Sequence, residues 1–195
     1  MASELQPRKT RSRTIVIGLV IGGAALAVTI LSQVGLGSSG KVQIGNGSVS
    51  ELSRAARAGD ALPPSVLEYP FAARNFANPS GAGSRRLTTH ESLTLYAVPG
   101  RGGMLCLIEV DSVAKTAGGT CADRTLLLTG SIYMADRQED GSRQVVGLVG
   151  DGHTYAEANG KRTRVENNTF LLRDVGGSGF TIGSASASQT IEIGD

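Results

Sequence analysis

Between Arg13 and Lys41 the chain runs for 27 residues, 14–40, without a charge. Its apolar heart is Ile15–Leu31, IVIGLVIGGAALAVTIL, with Val34 and Leu36 beyond. A helix rises ~1.5 Å per residue, so this heart would reach roughly 26 Å and its extension to Leu36 roughly 33 Å. The hydrocarbon layer of a bilayer is about 30 Å thick, and the segment predicts a transmembrane helix over 14–36. A cleaved signal peptide is the rival reading, with Ala25-Leu26-Ala27 as its processing site. Cleavage there would leave the apolar Val28–Leu31 on the new N terminus, which argues for a retained anchor.

The flanks orient this anchor. Arg8, Lys9, Arg11 and Arg13 precede it and only Lys41 follows closely. Basic residues stay on the cytoplasmic side, so 1–13 reads as a cytoplasmic tail and the chain beyond the span as extracytoplasmic. The expected location is the cell membrane, in a single pass, with the lipid bilayer as first partner. Gly18 and Gly22 form one GxxxG, the spacing at which two membrane helices approach closely and a homodimer becomes possible. Small residues are also common in spans for no such reason, and that plainer reading is preferred.

Residues 37–60 read as a linker with a short juxtamembrane helix. Gly35–Gly47 is rich in Gly and Ser and predicts a flexible tether. Ser48-Val49-Ser50-Glu51 matches a capping box, a hydroxyl at the N-cap and a carboxylate three residues on. Val49, Leu52 and Ala56 follow at helical spacing, with Arg54 and Arg57 on another side. Gly59 and then Pro63-Pro64 should stop the helix after about three turns. It is expected to act as a strut packed on the domain, with helix-in-groove binding to a partner as the alternative. Residues 61–86 carry Pro63, Pro64, Pro70 and Pro79 and predict an irregular cover, pegged by Tyr69, Phe71 and Phe76.

The extracytoplasmic domain, 61–195, is expected to be mostly β. From Leu87 short β-prone runs are punctuated by glycine, the pattern of a small antiparallel sandwich or barrel. The expected strands are Leu93–Val98, Met104–Val110, Arg124–Thr129 with Ile132–Met134, Gln144–Val149, Thr154–Ala158, Lys161–Val165, Thr169–Arg173, Phe180–Ile182 and Gln189–Ile193. Asn159-Gly160 predicts a two-residue hairpin turn, because both residues tolerate positive φ. With no tryptophan and 4% aromatics, the core must rest on smaller aliphatic side chains.

Cys106 and Cys121 are the only cysteines, and both fall outside the membrane in this topology. In an oxidising compartment such a pair is expected to bridge. Two thiols this far apart lack the close pairs that zinc sites use, so no metal and no cofactor is expected.

Charge excludes one function class. Of the chain's 19 basic and 17 acidic residues, residues 41–195 hold 15 and 16. Nucleic-acid binding needs a concentrated basic excess, and the domain as a whole has none. Candidate chemistry reduces to Asp151-Gly152-His153, where acid and base lie together. No nucleophile elbow, metal-ligand helix or phosphate loop frames them, and a turn between the strands Gln144–Val149 and Thr154–Ala158 is the preferred reading. Asn167-Asn168-Thr169 matches the N-glycosylation pattern, which here reads as chance.

Several elements stand in order along the exported part: Ser53-Arg54 through Asp60-Ala61-Leu62-Pro63, then Leu95-Tyr96-Ala97-Val98-Pro99-Gly100-Arg101-Gly102-Gly103, then the Cys106/Cys121 pair. Val145-Val146-Gly147-Leu148-Val149 before Asp151-Gly152, and Val165-Glu166-Asn167-Asn168-Thr169-Phe170, complete them. In these elements, over roughly residues 50–175, the exported part resembles an uncharacterised group of membrane-anchored or secreted actinobacterial proteins. Relatives of this type carry Pro-Asp-Gly-Val where this chain has Gly150-Asp151-Gly152-His153. The resemblance implies an extracytoplasmic domain with a disulfide and no particular activity. The expected function is a non-catalytic binding or structural module with a protein or cell-envelope partner. The alternative is a small exported hydrolase using Asp151 and His153.

Overall fold

The computed structural model describes residues 15–16, 47–67, 83–138, 141–177 and 179–193. After a two-residue strand β1 (Ile15–Val16) come two one-turn helices, α1 (Ser50–Ser53) and α2 (Pro64–Leu67). The strands that follow are β2 (Arg85–His90), β3 (Leu93–Pro99), β4 (Met104–Asp111), β5 (Thr116–Asp123), β6 (Ser131–Arg137) and β7 (Arg143–Val149). Then come β8 (Tyr155–Ala158), β9 (Lys161–Arg164), β10 (Thr169–Leu172), β11 (Gly179–Gly183) and β12 (Ser188–Glu192). They form three antiparallel sheets of orders β2-β3-β4-β5, β1-β6-β7-β10 and β12-β11-β8-β9.

Alternation along the strands explains how the sheets stack, since successive side chains leave opposite faces. Leu95 and Ala97 of β3, with Leu105 and Leu107 of β4, share a core with Ile132 and Met134 of β6 and Val146 and Leu148 of β7. Val145 and Val149 emerge on the other face of β7. There they join Phe170 and Leu172 of β10, Ala156 and Ala158 of β8, and Phe180 and Ile182 of β11. The sheet holding β6, β7 and β10 is therefore the middle layer, apolar on both faces, which is why β7 reads as a continuous run instead of an alternating one. Gly147 makes the second interface possible. A Cβ there would lie 2.2 Å from Cζ of Phe170, so the aromatic ring occupies the space that the glycine leaves.

The outer face of the β2–β5 sheet, with Tyr96, Val98, Cys106 and Ile108, is covered by Leu62 and Val66. Cys106 and Cys121 sit directly opposite one another in the β4–β5 register and are joined by a disulfide. Closing a loop of this length contributes about 3 kcal/mol in the chain-entropy account. The mostly β, antiparallel, disulfide-bonded architecture is as expected, but it has three layers instead of the two of a simple sandwich.

Several expectations need correction. The helix after the linker is one turn, not three. Its N-cap is Val49 with no side-chain capping bond, so Ser48 and Glu51 form no capping box. Arg54 turns extended (φ −71°, ψ 157°) and ends the helix. The expected strand Arg124–Thr129 is instead a 3-10 turn over Arg124–Leu128. Asp123 initiates it, its Oδ1 accepting from the Thr125 N–H at 2.8 Å and from Thr125 Oγ1 at 2.7 Å. The turn buries Leu127 and leaves Leu126 partly exposed. Strand β5, TAGGTCAD, has no apolar alternation to announce it, and pairing with β4 along its whole length defines it. β2 similarly occupies Arg85 and Arg86, where an irregular segment is expected.

Ile15 and Val16 pair antiparallel with Asp136 and Ala135 of β6. The remainder of the expected membrane helix, with Gly18 and Gly22, lies outside the described residues, as do Tyr69, Phe71 and Phe76. Among the described residues no helix is long and apolar enough to cross a membrane.

Candidate functional site

The two residues singled out for chemistry part company in the structure. Asp151 Oδ1 accepts the Ser50 N–H at 3.0 Å and the Asn168 Nδ2–H at 2.8 Å, while the Asp151 N–H donates to the Ser48 carbonyl at 2.8 Å. Ser50 Oγ donates to Asn168 Oδ1 at 3.2 Å. Asp151 thus satisfies one of the free N–H groups at the start of α1 from a distant part of the chain, and it fastens that start to the turn before β10. His153 is buried, with Nδ1 2.9 Å from the Gly150 carbonyl. That contact sets the tautomer with hydrogen on Nδ1, and Nε2 is buried without a partner. Burial lowers the His153 pKa, only partly offset by the Gly150 carbonyl. No hydrogen bond joins Asp151 to His153, and Gly152 between them takes φ +101° in the turn. The pair lacks the carboxylate-to-imidazole contact that an acid–base relay requires.

A different cluster forms a cleft of about 430 Å³ between the 51–60 segment, β2 and the turn before β10. Its frame is an ion pair. Arg54 Nη1 donates to Asp60 Oδ2 at 2.6 Å and Nη2 to Oδ1 at 2.8 Å, a two-pronged contact, while Nε donates to Glu51. The backbone N–H of Arg57 reaches Asp60 Oδ2 at 2.6 Å and that of Arg86 reaches Oδ1 at 3.1 Å. The Arg54 guanidinium beside Asp60, helped by these two N–H groups, holds the carboxyl well below the usual carboxylate range. Arg54 is raised in turn, first by Asp60 and then by Glu51. Asp60 is covered by the guanidinium and its own loop instead of being set in the apolar core. Arg54 also donates to the Arg86 carbonyl and receives Arg85 on its own carbonyl, which sews the segment to β2.

Arg57, Arg86, Thr88, Thr89 and Asn167 also line it, with Ala58 and Leu87. Asn167 is held in place by donating to the Leu87 carbonyl at 2.8 Å, from a turn in which both Asn167 and Asn168 have positive φ. The motifs Ser53-Arg54 to Asp60 and Glu166-Asn167-Asn168-Thr169 therefore converge on one place. Sequence reasoning placed Arg54 and Arg57 on a helix face and missed the cleft, because its other half comes from residues more than 25 positions later. The meeting of Arg57 and Arg86 in one recess had no local signature. Among the described residues, no group of three His, Cys, Asp or Glu could hold a metal ion. The chain matches no family model, and neither a curated protein nor a solved structure matches it.

Proposed function

We propose that this chain is a single-pass, membrane-anchored extracytoplasmic binding module without turnover, of the actinobacterial type its motifs resemble. The observation that carries the reading is the cleft beside Arg54 and Asp60: a polar recess framed by an ion pair and lined by hydrogen-bond donors, with both of its carboxylates engaged by Arg54. The uses found for Asp151 and His153 also favour binding over hydrolysis. The disulfide suits an oxidising compartment, and the uncharged segment 14–40 with its basic flank supports the anchor.

One observation favours a second arrangement. Ile15–Val16 paired with β6 cannot lie in a bilayer at the same time. Carbonate extraction of membranes followed by N-terminal sequencing decides between the two: the anchored reading expects an intact chain in the pellet. Turnover is tested with the full chain against ester, peptide and glycan substrates, alongside His153→Ala. Turnover that disappears in a folded His153→Ala variant establishes the hydrolase and ends the binding-module reading.

A further inference from the structure

We infer that the cleft is an oxyanion site in which Arg57 and Arg86 clamp a phosphate or carboxylate group; this rests on the binding-module reading and names its ligand class. Both oxygens of Asp60 are occupied, each accepting one bond from Arg54 and one from a backbone N–H. Glu51 is turned to the same guanidinium. The three nitrogen groups of Arg54 are in turn spent on Asp60, Glu51 and nearby carbonyls. The acidic side chains of the recess are thus matched by Arg54, and what is left over is cationic. Arg57 and Arg86 line the same recess, and among the described residues no hydrogen bond or ion pair joins either guanidinium to an acceptor.

The charges of the lining sum to +1: three arginines against Glu51 and Asp60. A guanidinium presents a planar fork of donors that fits two oxygens of one carboxylate or phosphate, and charge-assisted bonds of this kind are stronger than neutral ones. Thr88, Thr89 and Asn167 contribute to the same lining. Arg86 is further positioned by its own backbone, since its N–H and its carbonyl are both bound to the Arg54–Asp60 pair. The clasp therefore serves as the platform that aims this guanidinium.

The full chain, purified in neutral detergent, is titrated by calorimetry with inorganic phosphate and with citrate. Cosedimentation with vesicles of phosphatidylcholine alone or mixed with phosphatidylglycerol tells a free anion from a lipid headgroup. Saturable binding of at least one oxyanion is expected, weakened about tenfold in Arg57→Gln and again in Arg86→Gln, as loss of one charge-assisted bond implies. Lys161→Gln, in the β8–β9 hairpin, should bind as the parent does. Circular dichroism and thermal melting establish that each variant is folded. A parent chain that binds neither anion nor anionic vesicles overturns the site while leaving the binding-module reading standing, because that reading fails on turnover instead. Equal loss in Lys161→Gln would reduce the effect to net charge and also overturn it.

Discussion

Arg54 and Asp60 meet through two hydrogen bonds, at 2.6 and 2.8 Å, although neither belongs to a regular helix or strand. Six residues apart, they close a loop that the backbone N–H of Arg57 seals from within. The pair holds the entry segment against β2 and shapes the cleft.

Removing the guanidinium should loosen that segment. In Arg54→Ala, Asp60 loses its partner, and the loss of cover lets water reach the carboxylate and limits the cost. A destabilisation of about 2 kcal/mol is expected in urea denaturation. The folded-state pKa of Asp60 is depressed, so its contribution is present above the ordinary value of 3.8 and fades as pH falls from there toward the folded value. Arg54→Ala should therefore show a weaker acid dependence than the parent. Stability equal to the parent at pH 7 would mean that the clasp is ornamental.

Gly147 and Phe170 should behave as one unit. A Cβ at Gly147 would overlap the ring, so Gly147→Ala should cost at least about 1–3 kcal/mol. Phe170→Leu should recover part of the loss when combined with it, giving a non-additive double-mutant cycle. Thermal melting of the four proteins measures this, and strict additivity would contradict the packing described.

Buried His153 makes stability depend on pH. Its pKa is lowered on folding, so the unfolded chain binds the proton more readily as pH falls below the ordinary value of 6.5. The sign follows: stability contributed by neutral His153 is full above that pH and declines below it, down to the folded value. A denaturation series from pH 7.5 to 5 should show this slope, reduced in His153→Gln, whose amide can still donate to Gly150. A proton titration by NMR that placed His153 above 6.5 would reverse the sign and refute the prediction.

The turn at Asn159-Gly160 has positive φ at both residues, 52° and 72°. Tyr155 and Arg164 pair across it, and Arg162 lies over the Tyr155 ring while binding Glu157. A β-branched side chain resists that backbone region, so Gly160→Val should destabilise the domain by about 1–3 kcal/mol. Gly160→Asn should be much milder. An unchanged melting temperature in Gly160→Val would remove the strained turn from the account.

Features set by neighbours in the chain were legible without the fold. Asn159-Gly160 dictated its turn because φ preference is local. Most strands could be read from β-branched and apolar runs, since a pleated surface selects such residues wherever it sits. The cysteine pair was likewise readable, because two lone thiols in an oxidising compartment have few other fates. Tertiary structure decided the rest. Nothing within TAGGTCAD marks β5, whose hydrogen bonds come from β4. The expected Ser48–Glu51 box gave way to an N-cap at Val49, with Asp151 reaching the Ser50 N–H from a hundred residues away. Glu51 is consequently drawn to Arg54, and the helix stops after one turn. His153 became a buried tautomer and Asp151 a fastener because each found its own backbone partner, the Gly150 carbonyl and the Ser50 N–H. The cleft exists only where the entry segment, β2 and the Asn167 turn meet. Long-range contacts of this kind leave no periodicity in a sequence: spacing along the chain encodes local geometry, while the choice among competing hydrogen-bond partners is made by packing.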